Sequence, residues 1–140
     1  MEGKISNSKI PKTWPELVAL KDFLRLDSAS NLRFKDDQIF YSNYMKTFPK
    51  DLRFKIIFKA IGNNDVKIIR AAFPYGRLIK NLLHVGHYCL WSRKGALKKE
   101  EIESLIEDKF KNKDYFWFEN SPQTKSIPEI WHCHIFVKGN

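Results

Sequence analysis

The sequence predicts an α+β fold in which N-terminal helices pack on a mainly antiparallel sheet. In the first part of the chain, up to Gly62, apolar side chains recur at the spacing of one helix face. Beyond Gly62, short β-branched and aromatic runs replace this spacing and indicate strand, strand, helix, strand, strand. Helices that precede strands along a chain are typical of α+β proteins, so we expect the helices to gather on one side of the sheet. The strand order stays open because a helix separates the two pairs of strands.

The length of 140 residues predicts a single domain, which is long enough to bury one core and too short to divide into two. Residues 1–12 are polar, contain Gly and Ser and show no periodicity, which indicates a mobile N-terminal lead-in. We therefore expect the α+β domain to span residues 13–140.

The first helix is predicted to begin at Thr13, which forms a capping box with Glu16 while Pro15 occupies the first turn. Its apolar stripe consists of Leu17, Leu20, Phe23 and Leu24. The capping residues and the stripe together predict where this helix starts and which face it buries.

Two further helices are predicted between Phe34 and Gly62. The first covers residues 34–48 and ends at Pro49, because proline lacks the amide that the next turn needs. The second starts at Pro49 and stops at Gly62, a residue that adopts the left-handed conformation easily. Its apolar stripe is formed by Leu52, Ile56, Ile57 and Ala60.

The second half is predicted to contain four strands and one helix. The first strand includes Val66, Ile68 and Ile69 and closes at a turn formed by residues 73–76. The later elements are a strand at 87–91, an amphipathic helix at 97–110, and strands at 115–118 and 130–137.

The charge and the cysteines limit the partners and the compartment. A net charge of +9 favours anionic partners, although the lysines are scattered rather than gathered in one run. The two cysteines, Cys89 and Cys133, lie inside apolar runs and are too few for a disulfide scaffold, which indicates a reducing compartment. No apolar run is long enough to span a bilayer, and residues 1–12 do not resemble a signal peptide. We expect a cytoplasmic protein, with or without a nuclear pool, and no membrane partner.

All four histidines lie between residues 84 and 134, in the pairs His84/His87 and His132/His134. Side chains alternate between faces along a strand, so His132 and His134 should point the same way and Cys133 the opposite way. Two imidazoles on one face can act as nucleophile, base or ligand near neutral pH. An ordinary sheet or surface histidine explains each of them equally well, since a bare His-x-His pattern is a weak signal.

A metal site is the competing interpretation, since the four histidines could supply nitrogen ligands to zinc if their strands are neighbours. No carboxylate or thiolate partner is visible beside them, and Cys133 should face away. We therefore expect neither a metal nor another cofactor.

Several short motifs, taken in order, resemble the fungal N-acetylglucosamine-induced protein family, a domain of unknown function. They are Thr13-Trp14-x-x-Leu17, Phe73-Pro74-Tyr75-Gly76, His87-Tyr88-x-Leu90-Trp91, Trp117-Phe118-x-Asn120, and Ser126-Ile127 ahead of His132-x-His134-x-x-Val137. The likeness covers residues 13–137 and implies a cytoplasmic fold more than an activity.

A more distant resemblance links the same motifs to the histidine triad superfamily of nucleotide hydrolases and transferases, in which a strand histidine attacks a phosphate. The resemblance implies that His134 is the nucleophile and His132 its neighbour. It further implies substrate contacts from His87, Ser126 and Asn120. The rings of Tyr75 and Trp91 suit stacking on a base, and Lys125, although it departs from the pattern, completes the expected substrate-binding residues. The resemblance also implies, by analogy, pairing into homodimers through a sheet edge.

The sequence departs from the triad pattern at Phe136, which stands where a third histidine would be, and at Lys125, where glutamine is frequent. The register is therefore open by one histidine, and His132 is the alternative nucleophile. We expect a nucleotide or nucleotide-sugar phosphate-ester hydrolase or transferase. The alternatives are a non-catalytic binding or regulatory protein on the same fold and a basic nucleic-acid-binding protein.

Overall fold

The computed structural model describes residues 6–26, 32–120 and 130–139. A short 3-10 helix, Asn7–Lys9, precedes the main elements. The helices are α1 (Trp14–Val18), α2 (Lys21–Leu26), α3 (Lys35–Thr47), α4 (Lys50–Ile61) and α5 (Lys99–Lys109). The strands are β1 (Val66–Arg70), β2 (Val85–Ser92), β3 (Tyr115–Phe118) and β4 (Trp131–Lys138). The predicted α+β class is therefore confirmed.

The capping box at Thr13 forms, but the single predicted helix is two. The Thr13 hydroxyl accepts from the Glu16 amide at 3.3 Å and donates to the Glu16 carboxylate at 2.9 Å. After Val18 the amide of Leu20 bonds the carbonyl of Leu17, a tighter three-residue turn that separates α1 from α2. The apolar stripe continues across this turn, and for that reason periodicity alone does not reveal the break.

The folded unit begins before Thr13. Ile10 is 1 % exposed and packs in the same core cluster as Leu17 and Phe118. The lead-in expected over residues 1–12 therefore overlaps the core at its C-terminal end, because one apolar side chain among polar neighbours is enough to anchor it.

The buried face predicted for α4 is wrong at Leu52, Ile56 and Ala60, which are exposed, and right at Ile57. Leu52 is 40 % exposed and Ile56 is 38 % exposed. Ile57 of the predicted stripe does pack toward the sheet, and it is joined there by Phe54, Phe58 and Ile61. The helix carries apolar residues on more than one side, and the large aromatic rings bury more surface than the stripe chosen from spacing alone.

The strands form one antiparallel sheet in the order β1-β2-β4-β3. β4 is inserted between β2 and β3, with Cys89 opposite His134 on one side and Phe118 opposite His134 on the other. The connection from β2 through α5 to β3 therefore crosses over the position that β4 fills, which leaves β1 and β3 as the two edges.

Helices cover both faces of the sheet, so the expectation that they gather on one side is wrong. α5 packs through Ile102 and Ile106 on the face that carries Leu90 and Ile135. The core clusters that contain α1, α2 and α4 lie on the opposite face, which carries Cys89 and Phe136 among others. Within the described ranges no helix has the length and apolarity needed to cross a membrane.

Candidate functional site

Three histidines come together on one face of the two central strands. The register places His87 opposite Phe136, Cys89 opposite His134 and Trp91 opposite His132. Side chains two residues apart on a strand share a face, so all six point to the side covered by the N-terminal helices. His87, His132 and His134 are 3 %, 5 % and 8 % exposed, and each therefore lies in the protein interior.

A chain of hydrogen bonds runs through His87 and His134. The backbone amide of Tyr75 donates to Nδ1 of His87 at 3.2 Å, and Nε2 of His87 lies 2.9 Å from Nδ1 of His134. Nε2 of His134 lies 3.1 Å from the side-chain amide of Asn120. We call these four groups, from the Tyr75 amide to Asn120, the histidine chain.

The backbone amide of Tyr75 fixes the direction of the histidine chain, because a backbone amide only donates. Nδ1 of His87 must therefore accept, which places the proton of the neutral ring on Nε2. That proton is donated to Nδ1 of His134, so the proton of the neutral His134 ring lies on Nε2. His134 thus presents a hydrogen-bond donor, and not a lone pair, toward Asn120.

The direction of the histidine chain also determines which atom of the Asn120 side-chain amide faces His134. Its Nδ2 is the atom that lies 3.1 Å from Nε2 of His134, and its Oδ1 is buried without a hydrogen-bond partner among the residues that the structure describes. Two donors cannot share one hydrogen bond, so the chain requires the amide turned by half a rotation, with Oδ1 toward His134. The shape of the amide is unchanged, and Nδ2 then occupies the position that has no partner.

Burial keeps the side chains of this cluster neutral. Burial, with a smaller contribution from the charge of Arg33, lowers the pKa of His87 to about 3. Burial and then the neighbouring histidines lower the pKa of His134 well below its ordinary value. Burial also raises the pKa of the Cys89 thiol to about 12. At neutral pH both rings and the thiol are uncharged, as the histidine chain requires.

His132 differs from His134 in the atom that carries its proton. Nδ1 of His132 lies 3.1 Å from the carbonyl oxygen of Ile130 and donates to it. The lone pair of the neutral ring therefore lies on Nε2. The ring also stacks on Trp91, with centroids 4.2 Å apart and planes inclined by 26°. Of the two strand-β4 histidines, His132 is therefore the one that carries its lone pair on Nε2, whereas His134 carries a proton there.

Tyr75 and Arg33 flank the histidine chain. The Tyr75 ring is buried, with its centroid 4.7 Å from that of His87 and 5.6 Å from that of His134. The Arg33 guanidinium lies 4.0 Å from the centroid of the Tyr41 ring and 5.0 Å from that of Tyr75, and its Nε donates to the carbonyl of Phe73 at 2.8 Å. A positive charge is thereby held one aromatic ring away from the histidines.

A metal ion does not fit this cluster. His87, Cys89 and His134 place three atoms of metal-ligating type within 4.8 Å of one another. A metal needs a lone pair on each ligating nitrogen and a deprotonated thiol. In the histidine chain, Nε2 of His87 is the atom that faces His134, and it carries a proton, so it has no lone pair for a metal. If Nε2 instead bound a metal, the proton of the neutral ring would move to Nδ1 and would point at the N–H of Tyr75, which also donates.

The structure gathers most, but not all, of the predicted site residues. His132, His134, His87, Tyr75, Trp91 and Asn120 lie together around the histidine chain. Ser126 and Lys125 lie outside the described residues. His84 is exposed, has a positive φ of 56° and only contributes its carbonyl oxygen to the amide of Gly139, so it does not belong to the cluster.

Two residues of the cluster were not predicted. The Cys89 thiol lies 3.7 Å from Nδ1 of His134. The sequence could have predicted its position, since Cys89 follows His87 by two residues on the same strand and must share its face. Arg33 had no such signal, because it reaches the sheet from the loop before α3 by a contact that depends on the tertiary fold.

Known proteins resemble this chain in two ways. A solved structure described as "Crystal Structure of HTC1" is similar over 91 % of this chain and 85 % of that chain, with a TM-score of 0.59 and 15 % sequence identity. At that identity the likeness concerns the fold alone. No curated protein matches the chain. Residues 30–138 match the family model described as "Protein of unknown function (DUF3605)", and the chain belongs to that family.

Proposed function

We propose that this protein is a nucleotide or nucleotide-sugar phosphate-ester hydrolase or transferase that uses His132 as its nucleophile. The observation that carries the proposal is the hydrogen bond from Nδ1 of His132 to the Ile130 carbonyl, because it leaves the lone pair on Nε2. The histidine chain gives His134 the opposite tautomer, which favours His132 over the His134 nucleophile that the triad resemblance implies.

The reaction would proceed in two displacement steps. Nε2 of His132 attacks phosphorus, a nitrogen–phosphorus bond forms, and the bond from phosphorus to the leaving-group oxygen breaks with its electron pair staying on that oxygen. Water or an acceptor hydroxyl then attacks phosphorus, releases a proton to solvent and breaks the nitrogen–phosphorus bond. Through both steps the proton stays on Nδ1 of His132, where it is donated to the Ile130 carbonyl oxygen, and the Trp91 face stabilises the positive ring.

The charge of the protein supports an anionic substrate. The net charge is +9, and such a field attracts phosphates over long distances. Arg33 has no carboxylate partner among the described residues, and its guanidinium lies beside Tyr75. A buried base could be recognised by the aromatic rings of Tyr75 and Trp91. The roles of Ser126 and Lys125 as phosphate contacts are part of the same proposal.

The lineage behind this function is also a proposal. We infer that the family is the one induced by N-acetylglucosamine and that it is a remote relative of the histidine triad superfamily. The likeness is supported by two histidines on a central antiparallel strand that face a third histidine on the neighbouring strand. Phe136, at the position of the missing third triad residue, stacks on His87 at 4.5 Å and 13°, so an apolar ring takes up the space.

A second function, a non-catalytic binding or regulatory protein, is favoured by a different observation. Every ring nitrogen of His87 and His134 has a hydrogen-bond partner, and both rings are neutral and buried. A buried polar network of this kind can be retained because it specifies the packing of the sheet and not because it reacts. Such a protein would bind the ligand without turning it over.

The domain organisation, the compartment and the oligomeric state are also proposals. We infer a single domain, which includes Ile10 ahead of the expected start at residue 13, and a reducing compartment, the cytoplasm with or without the nucleus. Cys89 and Cys133 are buried, form no disulfide and lie on opposite faces of the sheet, which is consistent with thiols that stay reduced. A homodimer formed through an exposed sheet edge is an analogy with the triad enzymes.

The test is turnover by purified protein against a panel of nucleotides and nucleotide sugars, with a thermal-shift screen of the same compounds. We expect His132→Ala to abolish turnover and to keep ligand binding, and His134→Ala to weaken binding. His84→Ala is the matched control because His84 is exposed and outside the cluster. Turnover that survives His132→Ala would refute the nucleophile, and binding without turnover would favour the second function. An affinity for nucleic acid that falls steeply with salt would favour the remaining alternative, a basic nucleic-acid-binding protein.

A further inference from the structure

The three residues ahead of α3, residues 32–34, are attached to the segment that carries the Tyr75 amide. Nε of Arg33 donates to the carbonyl of Phe73, two residues before Tyr75, at 2.8 Å. The guanidinium also lies over the Tyr41 ring, 4.0 Å from its centroid. Arg33 therefore holds the main chain just ahead of the Tyr75 amide. We call these three residues the clamp.

Two further contacts hold the same segment on the far side of Tyr75. The amide of Leu78 donates to the carbonyl of Leu32 at 3.1 Å. The Phe34 ring lies so close to Gly76 that a Cβ at this glycine would stand 2.7 Å from two of the ring carbons. A side chain at Gly76 would therefore displace the ring. The clamp thus holds the main chain both before and after Tyr75.

The histidine chain could run in either direction, and the Tyr75 amide selects one. With the N–H of Tyr75 facing Nδ1 of His87, the proton of each neutral ring lies on Nε2. In the reversed chain each ring would carry its proton on Nδ1, and the lone pair on Nε2 of His134 would accept from Nδ2 of Asn120. Reversal needs an acceptor where the Tyr75 N–H now lies. A half rotation of the Pro74–Tyr75 peptide would supply one, the Pro74 carbonyl oxygen.

We propose that Arg33 is a positioning residue that keeps the Tyr75 amide directed at His87. It thereby keeps a proton, and not a lone pair, on Nε2 of His134. The inference rests on the proposed function only for its consequence, which is that His132 is the nucleophile. The direction of the histidine chain is measurable without a substrate, so the positioning role and the proposed function can fail separately.

The charge of Arg33 acts in the same sense as its hydrogen bond. Burial and then the charge of Arg33 lower the pKa of His87 to about 3. A doubly protonated ring would donate from both nitrogens and could not accept from the Tyr75 amide. Keeping His87 neutral therefore preserves the acceptor on which the direction of the histidine chain depends.

The experiment reads the tautomers from long-range 1H–15N NMR spectra of isotope-labelled protein, in which protonated and unprotonated ring nitrogens have well-separated shifts. In the wild type we expect a protonated Nε2 on His87 and His134. Arg33→Met removes the hydrogen bond to Phe73. Because the lost bond has a charged donor, the ratio of reversed to wild-type chain should rise by about tenfold or more. His132 should keep its proton on Nδ1 in both proteins.

Lys35→Met is the matched control for charge. Lys35 follows Arg33 by two residues, and its side chain is exposed. This variant removes one positive charge from the same part of the chain and leaves the hydrogen bond of Arg33 in place. Its ring-nitrogen shifts should equal those of the wild type.

A second pair of variants tests the clamp without changing any charge. Gly76→Ala places a methyl group against the Phe34 ring, and it should move the ring-nitrogen signals of His87 and His134 in the same direction as Arg33→Met does. Once Phe34→Ala has removed the ring, Gly76→Ala should have no additional effect, since two changes at one contact are not additive.

Unchanged tautomers in Arg33→Met overturn the proposal even if the variant is less stable, because a purely structural contact lowers stability without reversing the chain. Equal shifts in Arg33→Met and Lys35→Met overturn it as well, since the charge alone would then be responsible. If Arg33→Met does not fold, the comparison at Gly76 decides in the same way. Reversal confined to the clamp variants supports the positioning role even if no nucleotide is turned over.

Discussion

Acid should destabilise this protein through its buried histidines, well before the carboxylates titrate. An unfolded chain binds a proton on each histidine near pH 6.5, whereas burial lowers the pKa of His87 to about 3 in the folded state. The folded state therefore binds fewer protons between these two values. By linkage, the stability is fully present above pH 6.5 and is lost as the pH falls toward 3.

The size of the effect follows from the number of groups. Each buried neutral histidine costs about 1.4 kcal/mol of unfolding free energy per pH unit in this window. The pKa of His134 is lowered as well, first by burial and then by the neighbouring histidines, so His134 adds to the effect of His87 in the same direction. His87 alone removes roughly 2 kcal/mol between pH 6.5 and 5, a substantial part of the roughly 5–15 kcal/mol typical of a domain, and His134 adds to this loss.

The assay is urea unfolding followed by tryptophan fluorescence between pH 7.5 and 4.5. With a urea dependence of about 1–3 kcal/mol per molar, the midpoint should fall by roughly 1 M or more between pH 6.5 and 5. His87→Gln keeps a donor toward His134 but cannot be protonated, so its stability should depend on pH less steeply by about one proton. The exposed His84→Gln serves as the control and should keep the wild-type dependence. The reasoning is refuted if His87→Gln and wild type lose stability in parallel.

The remaining predictions concern the core, the thiols and metal binding. Ile10→Ala should lower the free energy of unfolding by about 2–4 kcal/mol because Ile10 is 1 % exposed, whereas Leu83→Ala, at a side chain 85 % exposed, should stay within about 0.5 kcal/mol; equal effects in chemical denaturation would place Ile10 outside the core. Cys89 and Cys133 should react with a thiol dye only after denaturation, since both are buried, and rapid labelling of native protein would contradict their placement. Cobalt should produce no thiolate absorption band, because the histidine chain holds a proton where the metal would bind, and a band would refute the assigned tautomers.

The sequence predicted those features of the fold that depend on neighbouring residues. The ends of α3, α4 and β3 follow from Pro49, Gly62 and a compact aromatic run, and each is a local signal. The buried face of α4 was misjudged because its apolar residues surround the helix, and only the sheet determines that Phe54 and Phe58 face inward. The strand order needed the position of β4, which no local pattern carries.

The candidate site was predictable to a similar extent. Strand alternation predicted that His132 and His134 share one face. The register that brings His87 within 2.9 Å of His134 depends on how two distant strands pair, which no local pattern specifies. The tautomers depend on two main-chain groups, the amide of Tyr75 and the carbonyl of Ile130, whose positions have no signature in the side-chain sequence. For this reason the sequence left open which strand histidine is the nucleophile.

The central place of β4 has a consequence for how the chain is made. β2 and β3 leave the ribosome before β4 does, yet they share no hydrogen bonds and meet only through it. Until residues 131–138 have emerged, each earlier strand presents an unpaired edge on which other chains can add. The segment that closes the sheet also carries His132 and His134, so a nascent chain protects its strand edges and acquires its histidine pair in the same step.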